Sequence, residues 1–485
     1  MAATVTVVAL AAAVASAAMR GPEPASTAYL TDAQGRALVI RGFNTDGQAK
    51  VRPDGMPATT PAQVATERRD MATNAVRLLI SWRAIEPTPG DIDEAYLDRL
   101  AQRVEKYGEQ GFHVVLDMHQ DVYGYYRPTA QSPTFGSGPY QGNGAPAWAT
   151  YIDGLKTQTG LPMWELSYLE PGTMRAWDHF WGTTGAHPEL QDHYLNAWVA
   201  VAQRFAGDPT VVAFDLMNEP YGGTRQGVEF EAGPLTALYQ RLLTGIRRVD
   251  RDHWVCVEPQ ALGTNWGTPS GLGALVDPRT GPARIAYCPH LYPPPLELGD
   301  GYSGRSRGQV DATLRFWRDN VLRVARRLDA RGDETDTVPI ILGEFGLDTD
   351  QPGAAAFLAK VVATAEDMGA GWLYWSRDPG AWGPYDDSGA PRNVVGVFAT
   401  PTPVAVAGTL LDWDATSEQL TIRWRPAAGV TTVRVPTTSW GLLEPVVTSE
   451  TGVRAVRWDP RSGTLELGTS GSAEVVEVRI TPRRS

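Results

Sequence analysis

The sequence predicts an α/β chain in two parts, a (β/α)8 barrel followed by a small antiparallel β-sandwich. Three observations carry this expectation. Between about residues 36 and 376 eight short apolar runs recur, most of them followed by a helix-like stretch. The runs are continuously apolar rather than alternating, which implies burial on both faces, as in a parallel sheet. After about residue 403 the texture changes to period-two segments separated by Gly, Pro and Asp. Eight strand-helix units close naturally into a TIM barrel, and short alternating strands with frequent turns stack into a sandwich.

Taken in order, residues 1–18 are almost wholly apolar and end in Ala15-Ser16-Ala17, a small-x-small cleavage pattern ahead of a Gly/Pro/Ser stretch. Residues 1–26 therefore read as signal peptide and linker, 27–402 as the barrel and 403–485 as the sandwich, and the mature protein is expected to be secreted. No later run reaches the ~18 apolar residues of a spanning helix. The eight expected barrel strands are 37–40, 75–80, 113–117, 211–216, 254–257, 284–287, 339–342 and 371–375. Helices are legible at 61–72, 92–110, 190–205, 234–248, 310–330 and 353–368, with Asp91 as a cap for the second. About ninety residues separate the third and fourth strands, so the Gly-, Pro-, Trp- and Tyr-rich stretch 125–180 reads as a large insertion at the reactive end. Sandwich strands are expected at 420–424, 432–435, 454–458, 464–467 and 474–480.

Composition narrows the function. With 42 % hydrophobic and 20 % charged residues the 485-residue chain can bury a large core. Its 43 basic and 55 acidic residues leave a net charge of −12, which excludes a nucleic-acid partner, since phosphates need a basic face. The two cysteines, Cys256 and Cys288, lie in apolar runs outside any Cys-x-x-Cys pair and read as buried inert thiols. His179, His187 and His193 are too irregularly spaced for a metal site, so no metal or other cofactor is expected. Only four of the 43 basic residues are lysine, at 50, 106, 156 and 360, which makes a lysine near the expected site notable.

Reacting groups in such barrels come from the C-terminal ends of strands. Those ends carry Asn44 with nearby Lys50, Arg77, His119-Gln120-Asp121, Asn218-Glu219, His290 with Tyr292, Glu344 and Trp375. Each has an ordinary structural reading: a strand-end Glu is commonly salt-bridged, and a lone His is commonly satisfied in the core. The conjunction on one rim points to chemistry. Two carboxyl groups are what glycosidic cleavage needs, one to protonate the departing oxygen and one to attack the anomeric carbon from the opposite face. Tyr292 and Arg77 can support Glu344, His119 and His290 can orient hydroxyls and the acid, and Trp375 offers a face for the sugar ring.

The strings Asn74-Ala75-Val76-Arg77, Leu216-Met217-Asn218-Glu219-Pro220, Pro289-His290-Leu291-Tyr292 and Gly343-Glu344-Phe345-Gly346, with Trp375, resemble glycoside hydrolase family 5 of the retaining clan A. Within it, Gly42-Phe43-Asn44-Thr45 with Lys50, Leu116-Asp117-Met118-His119-Gln120-Asp121-Val122-Tyr123-Gly124 and Phe214–Tyr221 are similar to the endoglycoceramidases, which release intact oligosaccharide from ceramide and carry a C-terminal β-sandwich. The resemblance implies Glu219 as acid/base and Glu344 as nucleophile, with Lys50 and Asp121 binding hydroxyls of the sugar next to the scissile bond and His119, Asn218, Tyr292 and Trp375 completing that subsite; Arg77 and His290 are also counted among the expected substrate-binding residues. Trp164 in the insertion is an expected stacking residue, and residues 260–266 are placed near a more distal sugar. The expected partner is a glycosphingolipid presented at a membrane or micelle, with apolar residues of 125–169 meeting the lipid, and no protein partner is implied. The competing readings are a family 5 endo-glucanase or related polysaccharidase, and a binding module that no longer turns over.

Overall fold

The computed structural model describes residues 29–124, 142–157, 164–332, 337–378, 380–450 and 453–484. The expected signal segment, and residues 125–141 and 158–163 of the expected lipid-facing stretch 125–169, lie outside the described residues. Eight strands lie side by side in parallel: β3 Arg41–Asn44, β4 Ala75–Ile80, β5 His113–Met118, β6 Val211–Asp215, β7 Trp254–Val257, β8 Ile285–Tyr287, β10 Ile341–Leu342 and β12 Gly371–Tyr374. A parallel bridge between Tyr287 and Ile340 closes the ring between β8 and β10. Just above it, β9 His290–Leu291 and β11 Glu344–Phe345 pair in parallel, with His290 level with Glu344. Nearly every strand residue is buried, as continuous apolar runs require.

The first expected strand, 37–40, is corrected. Ala37–Leu38 is β2, which pairs antiparallel with β1 (Leu30–Thr31) and β13 (Thr402–Val406), in the second part of the molecule. The barrel strand begins at Arg41. Asn74 makes the switch: its amide accepts from Arg41 N–H at 2.9 Å and donates to Val39 C=O at 2.7 Å, bridging the two pairing modes. An apolar run shows burial and not which sheet it joins.

Helices behave similarly. The helix Glu94–Glu109 is capped by Asp93, whose carboxylate accepts from Tyr96 N–H at 2.8 Å, whereas Asp91 sits in a turn with Thr88. The helix expected at 310–330 runs from Gly304 to Ala325, starting at a Ser303 capping box and stopping early because Leu328 and Ala330 bond to Leu275. Among the described residues no helix is long and apolar enough to cross a membrane.

The C-terminal strands form two antiparallel sheets, in the orders β1-β2-β13-β16-β19-β18 and β14-β15-β20-β17, where β14 is Gly408–Thr416, β15 Gln419–Pro426, β16 Ala428–Arg434, β17 Val446–Thr448, β18 Arg454–Asp459, β19 Thr464–Ser470 and β20 Val476–Thr481. Leu420, Ile422 and Trp424 from one sheet and Val433, Leu465 and Leu467 from the other bury a shared core. This sandwich meets the end of the barrel where strands begin: Arg434 donates to Thr73 C=O at 2.6 Å and to Gly111 C=O at 3.1 Å, just before β4 and β5.

Candidate active site

At the opposite end the strands deliver polar groups inward, and Arg77 of β4 is their hub. It is fully buried, and each guanidinium nitrogen has a partner: Nε donates to Asp215, Nη1 to Asn44 and Glu344, and Nη2 to Asn218 and Glu258, at 2.5 to 3.0 Å. Asp117 adds an ion pair at 2.9 Å. The buried acids Asp117, Asp215 and Glu258 converge on this cation. A rigid planar fork suits such a task, and one buried charge among several carboxylates sets which of them ionise. Burial and the charge of Glu258 push Asp215 well above the carboxylate range, while Glu258, despite burial, is held below it by His290 and Arg77.

The two candidate reacting carboxyl groups sit in unlike surroundings. Glu344 accepts from Arg77 at 2.5 Å and from the Tyr292 hydroxyl at 2.9 Å. Glu219 follows β6 in the left-handed region, at φ 41°, an arrangement that costs about 1–3 kcal/mol and needs outside support. Gln120 provides part of it, its amide donating to the carbonyls of Asn218 and Glu219 at 2.7 and 2.9 Å. The Glu219 Oε1 receives Asn265 Nδ2 at 2.5 Å and His290 Nδ1 at 3.0 Å. Burial foremost, opposed by His290 but reinforced by the charges of Glu344 and Glu258, raises the pKa of Glu219. One carboxyl oxygen of Glu219 and one of Glu344 lie within 4.8 Å of each other and of a His290 ring nitrogen, a close approach in keeping with the roughly 5–5.5 Å between the carboxyl groups of retaining enzymes.

Beside this pair lies a second cluster. Lys50 Nζ contacts Asp121 at 2.8 Å and stands 4.2 Å from the Trp375 ring centre, and His119 stacks on the same ring at 5.5 Å and 14°. His119 Nδ1 is 2.6 Å from Asp117, and Asn143 holds Asp121 at 2.8 Å. Burial and Lys50 oppose protonation of His119, but Asp117 and Asp121 outweigh them and raise its pKa. Asp121 is buried, yet Lys50 and His119 hold it well below the carboxylate range.

Lys50, Arg77, His119, Asp121, Asn218, Glu219, His290, Tyr292, Glu344 and Trp375 thus come together on one rim. Arg77 and His290, counted among the substrate-binding residues but also expected to support Glu344 and to orient the acid, are both fully buried and reach Glu344 and Glu219 respectively. The Asn218 amide is shared between Arg77 and the Gln120 carbonyl, which fixes its orientation. Trp164 begins a short helix, Trp164–Leu169, and its side chain lies outside the described residues. That helix packs inward through Tyr168, against Tyr221, and through buried Glu165, which hydrogen-bonds Glu297 beyond β9. Of the stretch 260–266, Asn265 reaches the acid itself rather than a distal sugar. Sequence reasoning missed Asp117, Asp215 and Glu258. A signal for the last was present, since Glu258-Pro259 after β7 repeats Glu219-Pro220 after β6.

Residues 31–380 match the family model for cellulase of glycosyl hydrolase family 5. Endoglycoceramidase I of Rhodococcus hoagii is 33 % identical over 361 residues, 72 % of this chain and 66 % of that protein, so the chain spans just under two thirds of its length. The structure of endo-glycoceramidase II from Rhodococcus sp. is 50 % identical, covers 94 % of this chain and 100 % of its own, and superposes with a TM-score of 0.87. Its lactosyl-enzyme intermediate is 49 % identical over the same shares, 94 % and 100 %, with a TM-score of 0.85. A barrel whose strand ends pair two carboxyl groups in this way, matched over that span, belongs to glycosyl hydrolase family 5, and within that family the chain is similar to the endoglycoceramidases.

Proposed function

We infer that the protein is a retaining, endo-acting glycoside hydrolase that cleaves the β-glycosidic bond between the oligosaccharide and the ceramide of glycosphingolipids. The observation that carries this reading is the close pairing of a buried carboxyl group with a raised pKa, Glu219, and a carboxylate held by Arg77 and Tyr292, Glu344. Glu344 attacks the anomeric carbon while Glu219 gives its proton to the ceramide oxygen. The carbon-oxygen bond breaks, ceramide leaves as a neutral alcohol, and the glycan remains as an ester on Glu344. Water then gives a proton to the Glu219 carboxylate, attacks the same carbon and releases the intact glycan with its original configuration. Lys50, Asp121, His119 and Trp375 form a charged and aromatic wall suited to a hydroxyl-rich ring.

The protein works, on this reading, after export and on lipid held in a membrane or micelle. A net charge of −12 draws no help from anionic lipid, so apolar contact brings the cleft to the surface. Leu169 and Leu298, 46 % and 62 % exposed, stand outward on the two segments that the Glu165–Glu297 contact joins. Leu169→Glu is expected to slow cleavage of micellar glycolipid several-fold more than cleavage of a soluble aryl lactoside. Incubation with a ganglioside, lactosylceramide and a cello-oligomer, followed by mass spectrometry, tests the substrate class: intact glycan plus free ceramide supports it, and cleavage of the cello-oligomer alone supports the polysaccharidase. Proton NMR of the first-formed sugar tests retention.

A further inference from the structure

Glu258 is 1 % exposed and out of substrate reach, yet it touches the Glu219 main chain, Arg77 and His290. Its Oε2 accepts from the Glu219 main-chain N–H at 2.8 Å. Its Oε1 accepts from Arg77 Nη2 at 2.8 Å and lies 3.3 Å from His290 Nε2. The other ring nitrogen of His290 stands 3.0 Å from Glu219 Oε1. Glu219 is therefore tied to Glu258 twice, through its backbone and, by way of His290, through its side chain.

We propose that Glu258 is a positioning residue for proton donation: it pins Glu219 in its left-handed backbone conformation and turns His290 so that the acid's proton is confined to one oxygen. The proposal rests on Glu219 being the acid. A left-handed glutamate relaxes unless its N–H is held, and a charged acceptor makes that bond about twice as strong as a neutral one. Burial opposes a charge on His290, but Glu258 and Glu344 raise its pKa well above the imidazole range, so both ring nitrogens carry N–H: Nε2 faces Glu258, which fixes the ring, and Nδ1 presents N–H to Glu219 Oε1. Asn265 Nδ2 meets that same oxygen at 2.5 Å. With Oε1 occupied by two donors, the transferable proton resides on Oε2. Tyr239, from the helix Thr236–Ile246, donates to the Glu258 carbonyl at 3.0 Å and steadies the residue from behind.

The test separates this role from a structural one by leaving group. A ceramide alkoxide needs the proton, whereas 2,4-dinitrophenolate leaves without it, so kcat/KM is measured on a glycolipid and on 2,4-dinitrophenyl β-lactoside for the wild type, Glu219→Ala, Glu258→Gln and Glu258→Asp. Glu219→Ala is expected to lose on the order of a hundredfold more on the glycolipid than on the lactoside. Glu258→Gln is expected to show the same bias by about tenfold or more. Glu258→Asp keeps the charge beside Arg77 but is too short for both contacts, and shows the bias where the Gln variant fails to fold. Equal losses on the two substrates for both Glu258 variants, with the bias intact in Glu219→Ala, overturn the proposal. A Glu219→Ala variant without bias overturns the assignment of the acid instead.

Discussion

Glu219 and Glu344 are the same residue type within 4.8 Å, and their partners alone give them different tasks. Because the pKa of Glu219 is raised, its protonated, working form persists above the ordinary carboxylate range and is lost as pH rises through the raised value. The kcat/KM profile on glycolipid is therefore expected to fall on its alkaline side above that range, and Glu219→Ala assayed on a dinitrophenyl lactoside is expected to lack that limb. Lys50 and Asp121 allow a second prediction at this scale. Both are nearly buried, so Lys50→Met strands a charge and is expected to destabilise by about 3–5 kcal/mol. Adding Asp121→Asn restores most of that stability but no activity, checked by denaturant titration and turnover. Because the pKa of Asp121 is depressed, its contribution is complete above the ordinary carboxylate pKa and is lost only as pH falls through the depressed value.

Elements hold these residues level with one another. The β9/β11 pair sets His290 beside Glu344, and the approach leaves no room at Gly343, where a Cβ would lie 2.9 Å from His290 Nε2. Gly343→Ala is expected to displace His290 and cut kcat about tenfold or more with little loss of fold, read by kinetics and circular dichroism. The motif Gly343-Glu344 thus has a steric reason beyond its carboxylate. Capping acts on stability alone: Asp93→Ala removes the acceptor at the start of Glu94–Glu109 and is expected to cost about 1 kcal/mol, seen as a lower denaturation midpoint with unchanged kcat.

In the whole molecule the two ends of the barrel have separate duties. The reactive groups follow the strands, and the sandwich is fastened where β4 and β5 begin. That sandwich includes β1 and β2, so its core takes Ala37 and Val39 from the chain that leads into the barrel. A chain stopped at residue 402 keeps β2 but loses most of the sheet it belongs to, exposing that apolar edge. It is expected to be insoluble or inactive, and a soluble truncated protein with full activity on an aryl lactoside would show that the barrel folds without its sandwich.

Local pattern was enough for the strand order, most helices and ten of the residues on the active rim, because burial on two faces and polar strand ends are written into consecutive residues. The three-dimensional arrangement alone decided the rest. Residues 37–44 are one continuous extended stretch, yet Asn74, more than thirty residues away, divides it between two sheets. Arg77 and His290 read both as substrate-binding residues and as supports for the carboxylates, and their depth in the ring places them against Glu344 and Glu219. Asp117 and Asp215, inside β5 and β6, acquire meaning only where neighbouring strands set them level around one guanidinium. Glu258 differs from Glu219 by what surrounds it: both are glutamates before a proline at a strand end, and the charges of Arg77 and His290 keep one ionised beneath the site while burial leaves the other a proton to give.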